Sequence, residues 1–184
     1  MSGRVHLAVP TRADRQRYLD AVTRSADLIG AWNPVEADDA AFTDWLARIE
    51  RGQLAAYLVV DTAEDALAGV VNLNNLVRRR FQNAALGYNA FVPYAGTGRM
   101  TEGLRLVVDR AFASEADGGL GLHRLEISVR PENERSVRLA RRLGFRHEGS
   151  SPRMLFLDGA WRDHERFAIT AEEWPPTGPV PRPG

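Results

Sequence analysis

Residues 93–104, Pro-Tyr-Ala-Gly-Thr-Gly-Arg-Met-Thr-Glu-Gly-Leu, constrain the fold more than any other stretch. A strand-like run, Ala84 to Phe91, precedes them, and an amphipathic helix pattern follows. Gly96 and Gly98 sit at the junction, so a tight turn with few side chains stands at a helix N-terminus. Such a turn exposes backbone N–H groups beside the positive end of the helix dipole, which suits a phosphate or pyrophosphate. A GxG at this place also serves as a plain connection that needs positive φ. Two familiar phosphate loops are excluded. No Lys follows the second glycine as G-x-x-x-x-G-K-[ST] requires, and Thr101 stands where G-x-G-x-x-G has its third glycine.

A chain of 184 residues can bury one sizeable core, and a single domain over residues 1–174 is expected. The formal net charge is +0, so no general attraction to nucleic acid or to an anionic membrane is expected. The local cluster Arg78-Arg79-Arg80 can still bind an anion. There are no cysteines, which excludes disulfides, a thiolate nucleophile and a Cys-ligated zinc site. No metal is expected. No apolar run is long enough to span a bilayer and no signal-peptide pattern opens the chain, so a cytoplasmic location is expected. Residues 174–184 hold five prolines, and 175–184 read as a flexible tail.

Val5, Leu7 and Val9 alternate as in a half-buried strand that Pro10 stops. Thr11 with Asp14 resembles a capping box ahead of a helix that buries Tyr18, Leu19 and Val22. Ser25 to Asp39 has no period and reads as a loop around Trp32. A second helix, about Asp39 to Arg51, spaces Phe42, Trp45, Leu46 and Ile49 along one face. Ala55–Asp61, Leu67–Leu76 and Ala84–Phe91 read as an antiparallel meander. The helix after the glycine turn buries Leu104, Val107, Val108, Ala111 and Phe112, and Asp117-Gly118-Gly119 is expected to end it.

Arg124–Val129 is the next strand. Asn133 then caps a short helix that Gly144 closes. Phe145–Gly149, Met154–Leu157 and Arg162–Thr170 complete the strands, with a turn at Asp158-Gly159. The order predicts an α/β, mixed-sheet fold. Two consecutive βα junctions, at Gly96–Gly98 and at Asn133, would share one edge of the sheet, where one ligand could touch both.

Three blocks of sequence now resemble the GNAT acyltransferase superfamily, and within it the Rim-type branch of ribosomal-protein N-terminal acetyltransferases. They are Leu86-Gly87-Tyr88 through Thr101-Glu102-Gly103, Gly121-Leu122-His123-Arg124-Leu125-Glu126 through Pro131-Glu132-Asn133-Glu134-Arg135-Ser136, and Leu143-Gly144-Phe145 with Asp158-Gly159-Ala160-Trp161-Arg162-Asp163-His164. The resemblance implies a mostly antiparallel central sheet with one splayed parallel strand pair and helices on both faces. It implies acetyl-CoA as cosubstrate, held by backbone at Phe91 and Val92 along the pantetheine arm and by Gly96, Thr97, Gly98, Arg99, Met100 and Thr101 at the pyrophosphate. Ala95 replaces the Gln or Arg that usually opens that loop.

The same resemblance brings Asn133 to the thiol end. Ala140 occupies the place of a tyrosine that protonates the leaving thiolate in many relatives, and Ser136 takes that role instead. Ser136 also reads as a helix serine bonding its own backbone. The reaction would be direct attack of an amine on the thioester, with a base to take its proton and N–H donors near Val92 for the carbonyl oxygen. Glu126, His123, Asp163 and His164 are the candidate bases. Ala85 stands where several relatives carry an acid.

The variable segment Ser25–Asp39 and the loop Arg78 to Gln82 are expected on the acceptor side. There the arginines could meet an acidic peptide or a succinyl group, or simply face solvent. The acceptor is an amine, either a protein N-terminus or a small molecule. Homodimers are frequent in this branch. A non-catalytic acyl-CoA-binding module is the alternative, and a Rossmann-type nucleotide site is disfavoured by the meander.

Overall fold

The alternation that begins at Val5 sets the first strand, β1 (Val5–Ala8), but Val9 falls past its end and is exposed. This computed structural model describes residues 3–30, 32–157 and 159–174. The capping box forms as expected: the Asp14 carboxylate accepts the Thr11 N–H at 2.7 Å. Helix α1 (Arg15–Arg24) follows. The supposed loop after it contains a short helix, α2 (Ala26–Gly30), whose five residues are too few to show a period. Helix α3 (Asp39–Glu50) starts at Asp38, which accepts the Ala41 N–H at 2.8 Å.

Strands β2 (Ala55–Asp61), β3 (Leu67–Val77) and β4 (Asn83–Ala90) come next, then α4 (Arg99–Phe112), β5 (Arg124–Val129), α5 (Glu134–Arg142), β6 (Arg146–Leu157) and β7 (Ala160–Thr170). The seven strands hydrogen-bond in the order β1-β2-β3-β4-β5-β7-β6, mostly antiparallel. β4 and β5 are the parallel pair, in register from Asn83 opposite Arg124 to Ala85 opposite Glu126.

Contacts divide the chain into two units: residues 1–76 with 87–109, and residues 77–86 with 110–184. In the first unit β2 is covered on both faces. Leu58 and Val60 join Tyr18, Val22, Phe42, Leu46 and Phe91 in one apolar cluster. On the other face, a β-carbon at Gly103 of α4 would lie 2.6 Å from the Val59 methyl groups, so glycine permits the close helix approach. The aromatic residues of the cluster pack against one another, Tyr18 stacking on Trp45 and meeting Phe42 at a tilt. Tyr18 and Trp45 centroids are 4.8 Å apart, and Phe42 lies 5.4 Å from Tyr18. Burial pushes the Tyr18 hydroxyl pKa up to about 12.

In the second unit Leu125, Ile127 and Val129 are buried, and Glu126 and Ser128 alternate onto the other face of β5. Two expectations are corrected here. α4 ends at Phe112, which is only half-buried. A separate 3-10 turn, Glu115–Asp117, follows, because the Ser114 side chain accepts the Asp117 N–H and starts a new hydrogen-bonded turn. The strands expected at Phe145–Gly149 and Met154–Leu157 are one strand, β6, with register shifts at 147/149 and 151/155. Pro152 does not break it, because an edge strand and a bulge both tolerate a residue without an N–H. The turn expected at Asp158-Gly159 involves Asp158, which lies outside the described residues, as does the tail 175–184.

Candidate functional site

The first unit carries the glycine turn. Gly96 and Gly98 have φ of +80° and +87°, which glycine adopts without strain. Gly98 accepts the Glu102 N–H at 3.1 Å and so starts α4, but it has no side chain to cap the next donors. The N–H groups of Arg99, Met100 and Thr101 form that first turn. The surrounding side chains are occupied elsewhere. Arg99 pairs with buried Asp61 on β2 and lies 4.8 Å over the Tyr94 ring. Met100 is buried. Glu102 accepts the Arg4 N–H at 2.7 Å and the Arg4 Nε–H at 3.1 Å. The Thr97 hydroxyl donates to the Tyr94 carbonyl at 2.6 Å.

What this turn offers outward is therefore main chain, and it fits a pyrophosphate: several donors, positive helix polarity and open space on the Cβ side of Gly96. Asp61 holds the turn in place. Its carboxylate accepts from Arg99 and from the N–H groups of Ala63 and Glu64 at 3.1 and 3.0 Å. The hydrogen bond from Arg99 keeps the Asp61 pKa below the ordinary carboxylate range.

The expected donors at Phe91 and Val92 are already engaged. Phe91 N–H donates to the Ala68 carbonyl at 2.9 Å, and Val92 N–H donates to the buried Ser25 hydroxyl at 3.1 Å. The Phe91 carbonyl accepts from Tyr94 and Ala95, which ties this pair to the glycine turn. In the same unit Asn33, from the variable segment, contacts Asn89 of β4 at 3.5 Å. Ser25, Asp61 and Arg4 were not singled out from sequence. A lone Ser, Asp or Arg carries no spacing signal, and each acts across a long separation in sequence.

In the second unit Asn133 caps α5, its Oδ1 accepting the Ser136 N–H at 3.1 Å. Ser136 stands half-buried in the first turn of that helix. Glu126 accepts from Arg124 Nε at 2.8 Å. Asp163 accepts the Arg153 N–H at 2.7 Å, which closes the β6 bulge where Arg153 has φ +49°. Glu126 and Asp163 are not brought together. Glu126 faces Ala168 across the β5–β7 ladder, so Asp163 lies about 16 Å further along β7 and on the opposite face. His164, buried, shares the face of Glu126 and Ser128. Its Nδ1 is 3.0 Å from the Arg162 carbonyl, which can only accept, so Nδ1 is the donor of that bond. His123 pairs with Glu172 at 3.1 Å.

The loop Arg78–Gln82 adjoins the start of β5: the Gln82 carbonyl accepts the N–H groups of His123 and Arg124 at 2.8 and 3.1 Å. Asn133 follows the other end of β5. The arginines therefore do not flank Asn133.

The acetyltransferase (GNAT) domain family matches residues 4–146. The chain belongs to the GNAT acetyltransferase family. Among its relatives, the probable N-acetyltransferase YjcK of Bacillus subtilis is 31% identical, over 85% of this chain and 88% of that protein. The ribosomal protein uS5-alanine N-acetyltransferase of Escherichia coli is 30% identical, over 89% of this chain and 86% of that protein. The solved structure of Mycobacterium smegmatis RimJ in complex with CoA-disulfide superposes with a TM-score of 0.79 at 29% identity, covering 93% of this chain and 84% of that one. The chain is thus an N-acetyltransferase of the Rim-like kind. Among the described residues no three or more His, Asp or Glu side chains gather as a metal site would need, and no helix is long and apolar enough to cross a membrane.

Proposed function

We propose that this enzyme transfers the acetyl group of acetyl-CoA to the α-amino group of a protein N-terminus. The observation that carries the cofactor half is the glycine turn, where the Thr97, Arg99 and Met100 side chains are occupied and the outward face is main chain. The acceptor half is supported by the relative that acts on the alanine of ribosomal protein uS5. In this reading the N–H groups of Gly96, Gly98, Arg99, Met100 and Thr101 serve the pyrophosphate, while the Thr97 N–H, held by the Tyr94 carbonyl at 3.2 Å, shapes the turn. Phe91 and Val92 lie along the pantetheine arm, and the Ser25 hydroxyl releases the Val92 N–H when the thioester carbonyl needs it.

Asn133 orients the thiol end and Ser136 protonates the leaving thiolate. A base takes the amine proton. Glu126 and Asp163 remain proposed for that task, but each is committed to a partner. His164, whose Nδ1 bonds the Arg162 carbonyl, is proposed beside them, with Nε2 as the atom that would take the proton. Residues 1–174 are proposed to act as one acyltransferase domain, which the family match across parts of both units supports. A cytoplasmic, homodimeric enzyme completes the proposal, and light scattering tests the dimer.

One observation favours the binding-module reading: Val92 N–H, Glu126 and Asp163 all have structural partners. The succinyl reading loses its support, because the arginines adjoin the start of β5 and not Asn133.

The test is mass spectrometry of two peptides incubated with acetyl-CoA. One begins with a free alanine. The other has a blocked N-terminus and a free lysine. The expected product is an acetyl group on the alanine nitrogen alone. Acetylation of the lysine, or of a polyamine in preference to the alanine peptide, would contradict the assignment.

A further inference from the structure

The β3–β4 loop, Val77 to Gln82, has no place in the acetyl-transfer reading, yet it is built as a recognition surface. Arg78 is anchored, donating to the Leu120 carbonyl and pairing with Glu115 at 3.6 Å. Gln82 is anchored by the N–H groups of His123 and Arg124. Between these anchors Arg79 and Gln82 hold left-handed backbone, φ +63° and +43°, without glycine. Arg79 and Arg80 project into solvent with no ion pair or hydrogen bond among the described residues. Val77 and Phe81 are 40% and 50% exposed, and the loop lines an open hollow of about 650 Å³. Exposed apolar area rimmed by charge marks interaction sites.

We propose that this loop docks an acidic peptide segment of a protein partner. Glu115 is matched by Arg78, and Arg79 and Arg80 are the uncompensated charges of the loop. Guanidinium groups match carboxylates with paired, charge-assisted hydrogen bonds. Val77 and Phe81 receive an apolar side chain placed between those carboxylates. Two anchors fix the loop in advance, which reduces the ordering cost of binding. RNA fits less well. A phosphate backbone needs an extended positive track, and Glu115, Asp117 and Glu172 interrupt it on the neighbouring segments.

The test uses the whole protein without acetyl-CoA, so it does not depend on the transfer reaction. A short fluorescein-labelled peptide with glutamates flanking a leucine is titrated and followed by anisotropy. Single-stranded oligouridylate RNA and a lysine-for-glutamate peptide are titrated in parallel. The expected result is salt-sensitive binding of the acidic peptide, weakened roughly tenfold or more in Arg79→Glu/Arg80→Glu. Phe81→Ser, which keeps both charges, should weaken it with little change in salt dependence. No binding of the acidic peptide at low salt, equal binding by the charge-reversed protein, or tighter binding of the RNA would each overturn the proposal. Both altered surfaces are exposed, and circular dichroism checks that the variants stay folded.

Discussion

At Gly98 the main chain turns with φ +87°, and a β-carbon there would stand 3.2 Å from Arg4 Nη2. A bulky residue is therefore disfavoured twice, by backbone conformation and by the neighbouring guanidinium. Gly98→Val should weaken CoA binding roughly tenfold or more, since hydrogen bonds to charged groups are worth about 1.5–3 kcal/mol each. Calorimetry on a variant with a native circular-dichroism spectrum reads this directly, and unchanged affinity would remove the pyrophosphate from the glycine turn. Ser136 makes a second claim at this scale. Ser136→Ala should lower kcat by about a hundredfold if the hydroxyl acts as general acid, while KM for acetyl-CoA moves far less. An unchanged kcat would leave Ser136 as a residue of the first helical turn only.

At the scale of elements, β5 and β6 are joined by a run of charges. Glu148 accepts from Arg124, at 3.2 Å in one of its two bonds, and from Arg146 at 2.7 Å. The Arg124 hydrogen bond above all holds its pKa at about 2, against an ordinary value of 4.5. A depressed carboxylate pKa contributes stability that is fully present above the ordinary value and is lost as pH falls toward the folded one. Thermal melts across pH 4.5 to 2 should therefore show a loss of stability that Glu148→Gln lacks. Equal pH dependence in the two proteins would show that the pair contributes nothing.

The same elements show what the sequence could reveal. β2 and β5 keep the bounds that their apolar patterns predict, because the continuous burial of β2 and the alternating burial of β5 each leave a direct trace in residue type. The capping box at Thr11 and the cap at Asn133 were legible for a similar reason: both are short-range hydrogen-bond devices. α2 was not legible, being too short for a period, and the merged β6 was hidden by a proline that an edge bulge accommodates. In the candidate site the glycine turn was legible. The Asp61–Arg99 pair, 38 positions apart, and the Ser25–Val92 bond, 67 apart, were not, because only the fold creates them.

On the scale of the whole molecule, the family match and the Rim-like relatives agree with the mixed sheet and its parallel strand pair. The proposed mechanism asks the glycine turn to hold the cofactor and the chain's own side chains to move two protons, one from the amine and one to the thiolate. A molecule that had kept only the first ability would bind CoA and do nothing further. The decisive measurement is thiol release from acetyl-CoA over a panel of N-terminal peptides and small amines, with CoA binding followed by calorimetry on the same preparation. The expected result is turnover well above background with peptides bearing a free N-terminal amine, together with CoA binding. Tight CoA binding with no release above background for any acceptor would contradict the enzyme and leave the binding module.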